Sequence, residues 1–184
     1  GYADMALRDF FQQASQQPWF SKTLFVITAD HTQKNTLPFF DNELGRYRVP
    51  LIFYAQDFQW PKVDVEQVTQ HIDILPSVLD FVGVHPSQVN PLAASVFRPG
   101  DRVAVTMMDG RWMLVQKDYF LVQYKGAARS PSAPYGEMLM YRRQDPFEKS
   151  VVTDQDPILK NLQQRLQAVQ QYFSQGMIDN RLYL

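Results

Sequence analysis

An aspartate and a histidine stand side by side at the end of an apolar run. The run, Leu24–Ala29, is followed directly by Asp30 and His31. A carboxylate oxygen and an imidazole nitrogen together suit Zn²⁺, Mn²⁺ or a similar divalent ion. Adjacent residues reach one ion only where the chain turns sharply, as it can where a strand ends. The pair predicts a metal site, with the alternative that Asp30 caps a turn and His31 packs beside it.

The composition excludes several other kinds of site. The chain has no cysteine, which excludes disulfides, thiolate metal ligands and a cysteine nucleophile. Its formal net charge of −1 provides no basic surface for nucleic acid. With 184 residues, 45% of them hydrophobic, it is long enough for one domain, or for a large lobe and a small one.

The elements that must position Asp30 and His31 are a helix and two strands. Apolar residues at helical spacing predict a helix over residues 3–16, ending before Pro18. Residues 23–29 are continuously apolar or β-branched, which predicts a strand buried on both faces, as in a parallel sheet. Residues 49–55 predict a second buried strand, with Pro50 tolerated near its start.

A second helix is predicted after residue 73. Asp73 is a suitable N-cap, Pro76 falls in the first turn and Gly83 stands at the end. The order strand, loop, strand, loop, helix is typical of an α/β layer.

The character of the chain changes after about residue 99, where three short strand-like runs begin. They cover residues 102–108, 111–116 and 119–124. Asp109-Gly110 between the first two is a strong hairpin signal, so we expect an antiparallel meander, with residues 138–142 as a fourth strand. Pro157 begins a last helix. Its predicted apolar face consists of Ile158, Leu162, Leu166, Val169 and Phe173.

Four segments, in chain order, carry a resemblance to a known group of enzymes. Residues 23–31 (TLFVITADH) resemble the Asp-His metal motif of the sulfatase and alkaline phosphatase superfamily. Three later segments resemble its lipoteichoic-acid-synthase-like and phosphoglycerol-transferase-like members: residues 45–55 (GRYRVPLIFYA), 70–84 (QHIDILPSVLDFVGV) and 139–152 (LMYRRQDPFEKSVV). The ending, residues 177–184 (MIDNRLYL), is also similar, so the resemblance extends over nearly the whole chain.

The resemblance implies an α/β fold class. We expect the C-terminal portion of an alkaline-phosphatase-like sheet, followed by a small antiparallel β-sheet with a C-terminal helix. Residues 1–98 would form the C-terminal part of the sulfatase-like α/β core. Residues 99–184 would form the subdomain of the small sheet and terminal helix.

The implied activity is that of a metal-dependent phosphoglycerol transferase or phosphodiesterase. In this group a divalent metal ion (Mn²⁺, Zn²⁺ or Mg²⁺) is held by a Glu, a nucleophilic Thr and the Asp-His pair, here Asp30 and His31. The Glu and the Thr normally lie well upstream, and only 29 residues precede Asp30. We therefore expect the nucleophile to be missing from this chain, and the fragment alone to have no turnover and weak metal affinity.

One loop departs from the pattern of the group. Its members often carry a further His soon after the pair, and residues 32–37 contain none. Lys34, Arg46 or Arg48 would then bind a substrate phosphate oxygen, unless they are solvated loop charges. For His71 we favour a capping or packing role, and for His85 simple exposure beside Pro86.

The resemblance also implies a location and partners. The parent enzyme would be membrane-anchored at the periplasmic or extracellular face of a bacterial inner membrane, with this fragment soluble. Its partners would be a phosphodiester or sulfate-ester substrate carrying a lipid head group, and the missing N-terminal part of the protein, with no nucleic acid. The alternatives are a true sulfatase (sulfuric ester hydrolase), a non-catalytic binding module retaining a remnant metal motif, and a structural lobe that folds only against its missing half.

Overall fold

A computed structural model describes residues 1–32, 37–87, 90–108, 110–124, 136–145, 147, 149–152 and 157–181. The chain forms two compact units, residues 1–61 and residues 62–184. The expected boundary between residues 98 and 99 falls inside the second unit and stays a prediction. Lys34 and Asp109, which carried two of the sequence-based predictions, lie outside the described residues.

The described residues of the first unit form one helix, two strands and two short 3₁₀ helices. The helix α1 spans Tyr2–Ala14, β1 spans Phe25–Thr28 and β2 spans Leu51–Tyr54, with 3₁₀ helices at Phe20–Lys22 and Gly45–Tyr47. The predicted helix and both predicted strands are therefore confirmed, each slightly shorter than its apolar pattern.

A cluster of aromatic rings fixes α1 against β1. The ring of Phe25 lies 5.0 Å from that of Phe11 and 5.2 Å from that of Phe20, between centroids. Tyr54 of β2 closes the cluster, 5.8 Å from Phe11. Such pairs add about 0.5–1.5 kcal/mol each beyond their burial. The helix and both strands therefore support one another, and the segment after β1 starts from a fixed position.

The strand pairing differs from the prediction of parallel strands buried on both faces. The two strands β1 and β2 pair antiparallel, with Phe25 opposite Tyr54 and Thr28 opposite Leu51. Ile52 and Tyr54 are exposed, as is Thr28. An apolar run shows that a strand can be buried, but it does not identify the strand beside it. The prediction of parallel pairing is therefore wrong for the described residues.

The second unit contains α2, a four-stranded sheet and a long terminal helix. Their bounds are Ile74–Phe81 (α2), Ala104–Met108 (β3), Arg111–Val115 (β4), Tyr119–Gln123 (β5), Met138–Arg142 (β6) and Pro157–Ile178 (α3). The strands pair antiparallel in the order β3-β4-β5-β6. This is the predicted small antiparallel sheet followed by a terminal helix.

The core of this unit lies between the sheet and α3. Leu162 and Leu166 are fully buried and pack in one cluster with residues of β4, β5 and β6, namely Leu114, Leu121 and Met140. Leu159 also belongs to the cluster. Ile158 and Phe173, which were predicted to share an apolar face with Leu162 and Leu166, are exposed. Within the described residues, no helix is both long and apolar enough to cross a membrane.

Asp73 stands at the N-cap position of α2, but its carboxylate does not cap that helix. Its oxygens accept the backbone N–H groups of Gln70, at 3.0 Å, and Ala94, at 2.9 Å. Burial raises the pKa of Asp73, opposed by those two N–H donors and by the charge of Arg102. The carboxylate thus joins the segment after α2 to the segment before it, a contact that local sequence does not reveal. Gly83 ends the helix at φ +72°, as predicted.

A forked ion pair fixes α2 to the chain that follows it. The Nε atom of Arg98 donates to both carboxylate oxygens of Asp80, at 3.1 and 3.0 Å, and the Ser95 hydroxyl donates to Oδ2 at 2.8 Å. The Arg98 hydrogen bonds, followed by that of Ser95, lower the pKa of Asp80. Because the folded pKa lies below the ordinary 3.8, the ionised carboxylate stabilises the fold above that pH and loses this effect below it.

Replacing Asp80 by asparagine is therefore expected to destabilise the protein at about pH 7, with the difference from wild type shrinking as the pH falls from about 4 towards 2. Urea unfolding at several pH values, followed by far-UV circular dichroism, measures this difference. The raised pKa of Asp73 has the opposite effect on the pH dependence of stability. This effect is present in both proteins and cancels, so the difference between them reports on Asp80. Asp179→Asn, at an exposed position, is the control; an Asp80→Asn effect independent of pH would contradict the prediction.

Candidate metal centre

Asp30 and His31 lie immediately beyond the end of β1. The strand ends at Thr28, and Ala29 leads into a bend at the pair. The two side chains are 85% and 73% exposed, respectively. The aromatic cluster fixes the strand, and the strand delivers both polar side chains to solvent at one end.

One atom of each side chain is fixed by a local hydrogen bond. Oδ1 of Asp30 accepts the backbone N–H of His31, at 2.8 Å. Nδ1 of His31 lies 2.9 Å from the backbone oxygen of Thr32. Since a carbonyl oxygen only accepts, that contact requires a proton on Nδ1. The neutral ring then has its lone pair on Nε2, the tautomer needed for a metal ligand.

The remaining two atoms, Oδ2 of Asp30 and Nε2 of His31, converge on each other. They are 3.3 Å apart. A doubly protonated ring would donate Nε2–H to the carboxylate at this distance, whereas in the neutral Nδ1–H ring Nε2 has a lone pair that can share a cation with Oδ2. Ligand atoms in a tetrahedral zinc site are about 3.4 Å apart, given bonds of about 2.1 Å. The carboxylate and imidazole therefore fit a shared divalent ion in both chemistry and spacing.

Thr32 connects the pair to a distant loop. Its hydroxyl donates to the backbone oxygen of Arg46, at 2.7 Å. Sequence patterns gave no indication of this bond, because it joins residues 14 apart through a backbone atom. The oxygen that orients His31 therefore belongs to a residue that is itself held in place.

A buried asparagine closes the loop that contains Arg46. Asn42 is 8% exposed, and its Nδ2 donates to the backbone oxygens of Pro38, at 3.1 Å, and Phe39, at 2.8 Å. Its Oδ1 accepts the backbone N–H of Gly45, at 2.7 Å. A Cβ on Gly45 would lie 2.5 Å from the oxygen of Phe39. The loop thus requires both the carboxamide and the absence of a side chain three residues later.

The structure places the described candidates for substrate-binding cations, Arg46 and Arg48, in different surroundings. Arg46 is exposed, and its backbone contacts Thr32. The guanidinium of Arg48 lies over the ring of Phe39, 4.9 Å from its centroid.

The other two histidines lie elsewhere in the chain. His71 begins a 3₁₀ helix, His71–Asp73, and is exposed, as is His85. Among the described residues, no three His, Cys, Asp or Glu side chains gather into a metal-binding group. Asp30 and His31 are a pair without a third such side chain among the described residues.

The chain is similar to several proteins of known structure. The chain aligns over 98% of its length with a solved protein of the alkaline phosphatase superfamily from Vibrio parahaemolyticus, at 20% identity and a TM-score of 0.69. The chain therefore shares the fold of this solved protein. Residues 1–84, which contain Asp30 and His31, match the family model described as Sulfatase.

Two further solved structures share this fold. BT4656, solved with its substrate D-glucosamine-2-N,6-O-disulfate, aligns with 94% of the chain at 18% identity and a TM-score of 0.60. A candidate sulfatase from Bacteroides thetaiotaomicron aligns with 90%, at 20% identity and a TM-score of 0.54. The chain spans 41%, 39% and 39% of the three solved chains, respectively. None of the curated proteins compared matches it.

Proposed function

We propose that the chain is the C-terminal part of a metal-dependent phosphodiesterase or phosphoglycerol transferase of the sulfatase and alkaline phosphatase superfamily. In this proposal Asp30 and His31 are two ligands of a catalytic divalent ion, and the nucleophile lies in the remainder of a longer protein. The observation that carries the proposal is the 3.3 Å approach of Oδ2 of Asp30 to Nε2 of His31, within the segment that matches the Sulfatase model.

Each residue of the site has a distinct part in this function. Asp30 presents Oδ2 while its Oδ1 is occupied by the His31 backbone. His31 presents Nε2 while Thr32 holds the ring from the opposite side. When bound, a divalent ion polarises the ester and lowers the pKa of the nucleophile. Arg46 is the candidate contact for a substrate phosphate oxygen, because it is exposed on the loop joined to Thr32.

Metal binding by the 184-residue chain is a direct test. The chain has only three histidines, so each ring signal can be followed separately by NMR. We expect Mn²⁺ to broaden the ring signals of His31 at concentrations that leave those of His71 and His85 sharp. Because this chain supplies only two ligands, we expect a weak site.

Matched variants make the titration specific. Asp30→Asn keeps the shape of the side chain but replaces a charged donor oxygen by a neutral one, and is expected to weaken the selective broadening by about tenfold. His85→Ala removes an exposed histidine elsewhere and should leave it unchanged. Equal broadening of all three histidines, or an undiminished effect in Asp30→Asn, would reject the metal site and the function built on it.

A second candidate function is that of a sulfuric ester hydrolase. It is favoured by the match of residues 1–84 to the Sulfatase model and by the disulfated substrate of BT4656. The two functions are distinguished in the complete protein by comparing kcat/KM for an aryl phosphodiester and for an aryl sulfate. The transferase proposal expects a preference for the phosphodiester, and the opposite preference would favour the sulfatase.

The location and partners belong to the same proposal. A phosphoglycerol transferase that acts on lipid head groups would be anchored at a membrane and would face the periplasm or the cell exterior. The partners proposed for this chain are therefore the ester substrate with its head group and the part of the protein that carries the nucleophile.

A further inference from the structure

The backbone oxygen that orients His31 is not held by local structure alone. Thr32 follows the pair directly, and its hydroxyl donates to the oxygen of Arg46. The chain therefore has two fixed points near the pair: β1 on one side and the loop containing Arg46 on the other. A rotation of Thr32 would move the acceptor of the Nδ1–H bond and hence turn the imidazole.

That loop is closed by the carboxamide of Asn42. It makes three hydrogen bonds, two as donor to the oxygens of Pro38 and Phe39 and one as acceptor from Gly45 N–H. The residue after Gly45 is Arg46, whose N–H also donates to the backbone oxygen of Asn42, at 3.1 Å. The position of the Arg46 oxygen is thus set by Asn42 from both its side chain and its backbone.

We propose that Asn42 is a positioning residue for the Asp30–His31 pair, acting through Arg46 and the Thr32 hydroxyl on the imidazole of His31. The sequence of contacts is continuous: the Asn42 carboxamide fixes Gly45, the next residue supplies the oxygen for Thr32, and Thr32 supplies the oxygen for Nδ1 of His31. The role in metal binding rests on the function proposed above. The role in orienting the ring does not require a metal.

The arrangement explains the burial of a polar side chain in this loop. A buried carboxamide costs free energy unless its donors and acceptor are all used, and all are used here. No apolar residue of similar size would supply an acceptor for Gly45 N–H together with donors for two carbonyl oxygens. The carboxamide therefore fits this loop, and its removal should change the position of Thr32.

The first measurement needs no metal. In the ¹⁵N-labelled 184-residue chain at about pH 8, above the ordinary histidine pKa of about 6.5, ring nitrogen shifts report which nitrogen carries the proton. We expect wild type and Thr32→Ser to hold the proton of His31 on Nδ1. Asn42→Ala and Thr32→Val should shift the ring towards the mixture of tautomers of an unconstrained histidine, while His85 stays constant.

The second measurement is a Mn²⁺ titration of the same proteins. Asn42→Ala and Thr32→Val are each expected to weaken the broadening at His31 by about tenfold, the lower range for loss of a group that orients a ligand. Thr32→Ser should restore wild-type affinity, because it restores the hydroxyl. The double variant should be no weaker than either single variant, since both act through one contact. Asp41→Ala, at an exposed neighbour of Asn42, is the control and should stay within twofold.

The outcomes separate this proposal from the proposed function. An Asn42→Ala chain with the wild-type tautomer of His31, or a double variant whose losses multiply, overturns the positioning role. If wild type shows no selective Mn²⁺ effect at His31, the metal function fails, and the tautomer comparison still decides whether Asn42 positions the ring. If Asn42→Ala does not fold, the Thr32→Val and Thr32→Ser pair decides instead: equal tautomers in these two proteins overturn the proposal.

Discussion

In the complete enzyme proposed above, replacement of Asp30 by alanine is expected to lower kcat by about 10²–10³-fold, the loss typical when one preorganised electrostatic group is removed from an active site. The substitution removes Oδ2, one of two donor atoms 3.3 Å apart. His31 and the ligands supplied by the rest of the enzyme would then hold the ion less tightly, so excess Mn²⁺ should recover part of the lost rate. The measurement is kcat for a phosphodiester as a function of Mn²⁺ concentration.

The control for this variant is another exposed aspartate of the same unit. Asp4 pairs with Arg8 across one turn of α1, at 3.4 Å, and such exposed pairs contribute about 0.3–0.5 kcal/mol. Asp4→Ala should therefore leave kcat and its Mn²⁺ dependence unchanged. An Asp30→Ala enzyme with kcat within threefold of wild type would show that catalysis does not use this carboxylate.

The largest effect on stability is expected from Leu166→Ala. Leu166 is 0% exposed and packs in the cluster between α3 and the four-stranded sheet. Truncation removes buried methyl groups and leaves a cavity, which costs about 3–5 kcal/mol. Urea unfolding followed by far-UV circular dichroism should show a lower midpoint with a similar slope, because the surface exposed on unfolding hardly changes.

Ile158 provides a matched control on the same helix. It is 37% exposed, so Ile158→Ala should cost less than about 1 kcal/mol. The helical pattern in the sequence assigned both residues to one apolar face, whereas burial in the structure separates them. Similar losses for the two variants would mean that the face of α3 that contacts the sheet has been wrongly assigned.

The elements of this chain could be predicted because each depends on local sequence. Alternating turns and strand-like runs predicted β3, β4 and β5, and Pro157 marked the start of α3. Pairing was harder to predict: the apolar residues of β1 and β2 suggested parallel neighbours, and the strands pair with each other antiparallel. Which strand lies beside another depends on the path of the whole chain, which a run of apolar residues does not encode.

The candidate site shows the same division between local and distant information. Asp30 and His31 could be selected from their residue types and their place after a strand, and their metal-binding role stays a prediction. Thr32 could not be selected, since its hydroxyl contacts a backbone oxygen 14 residues away. The Asn42 side chain contacts backbone atoms only three or four residues away, and Asn followed three positions later by Gly is a local turn signal that was missed. Asp73 shows a related effect: its position predicted an N-cap, and its carboxylate is used by Gln70 and Ala94 instead.

The close approach at Gly45 has a consequence for natural variation. Because a Cβ there would meet the Phe39 oxygen at 2.5 Å, a related chain can keep the loop closed by Asn42 only if it also keeps glycine three positions later. Substitutions at positions 42 and 45 should therefore occur together among homologues. Chains that have lost both should also have lost the Asp-His pair more often than chains that keep them, so these two positions would mark which relatives retain the proposed metal site.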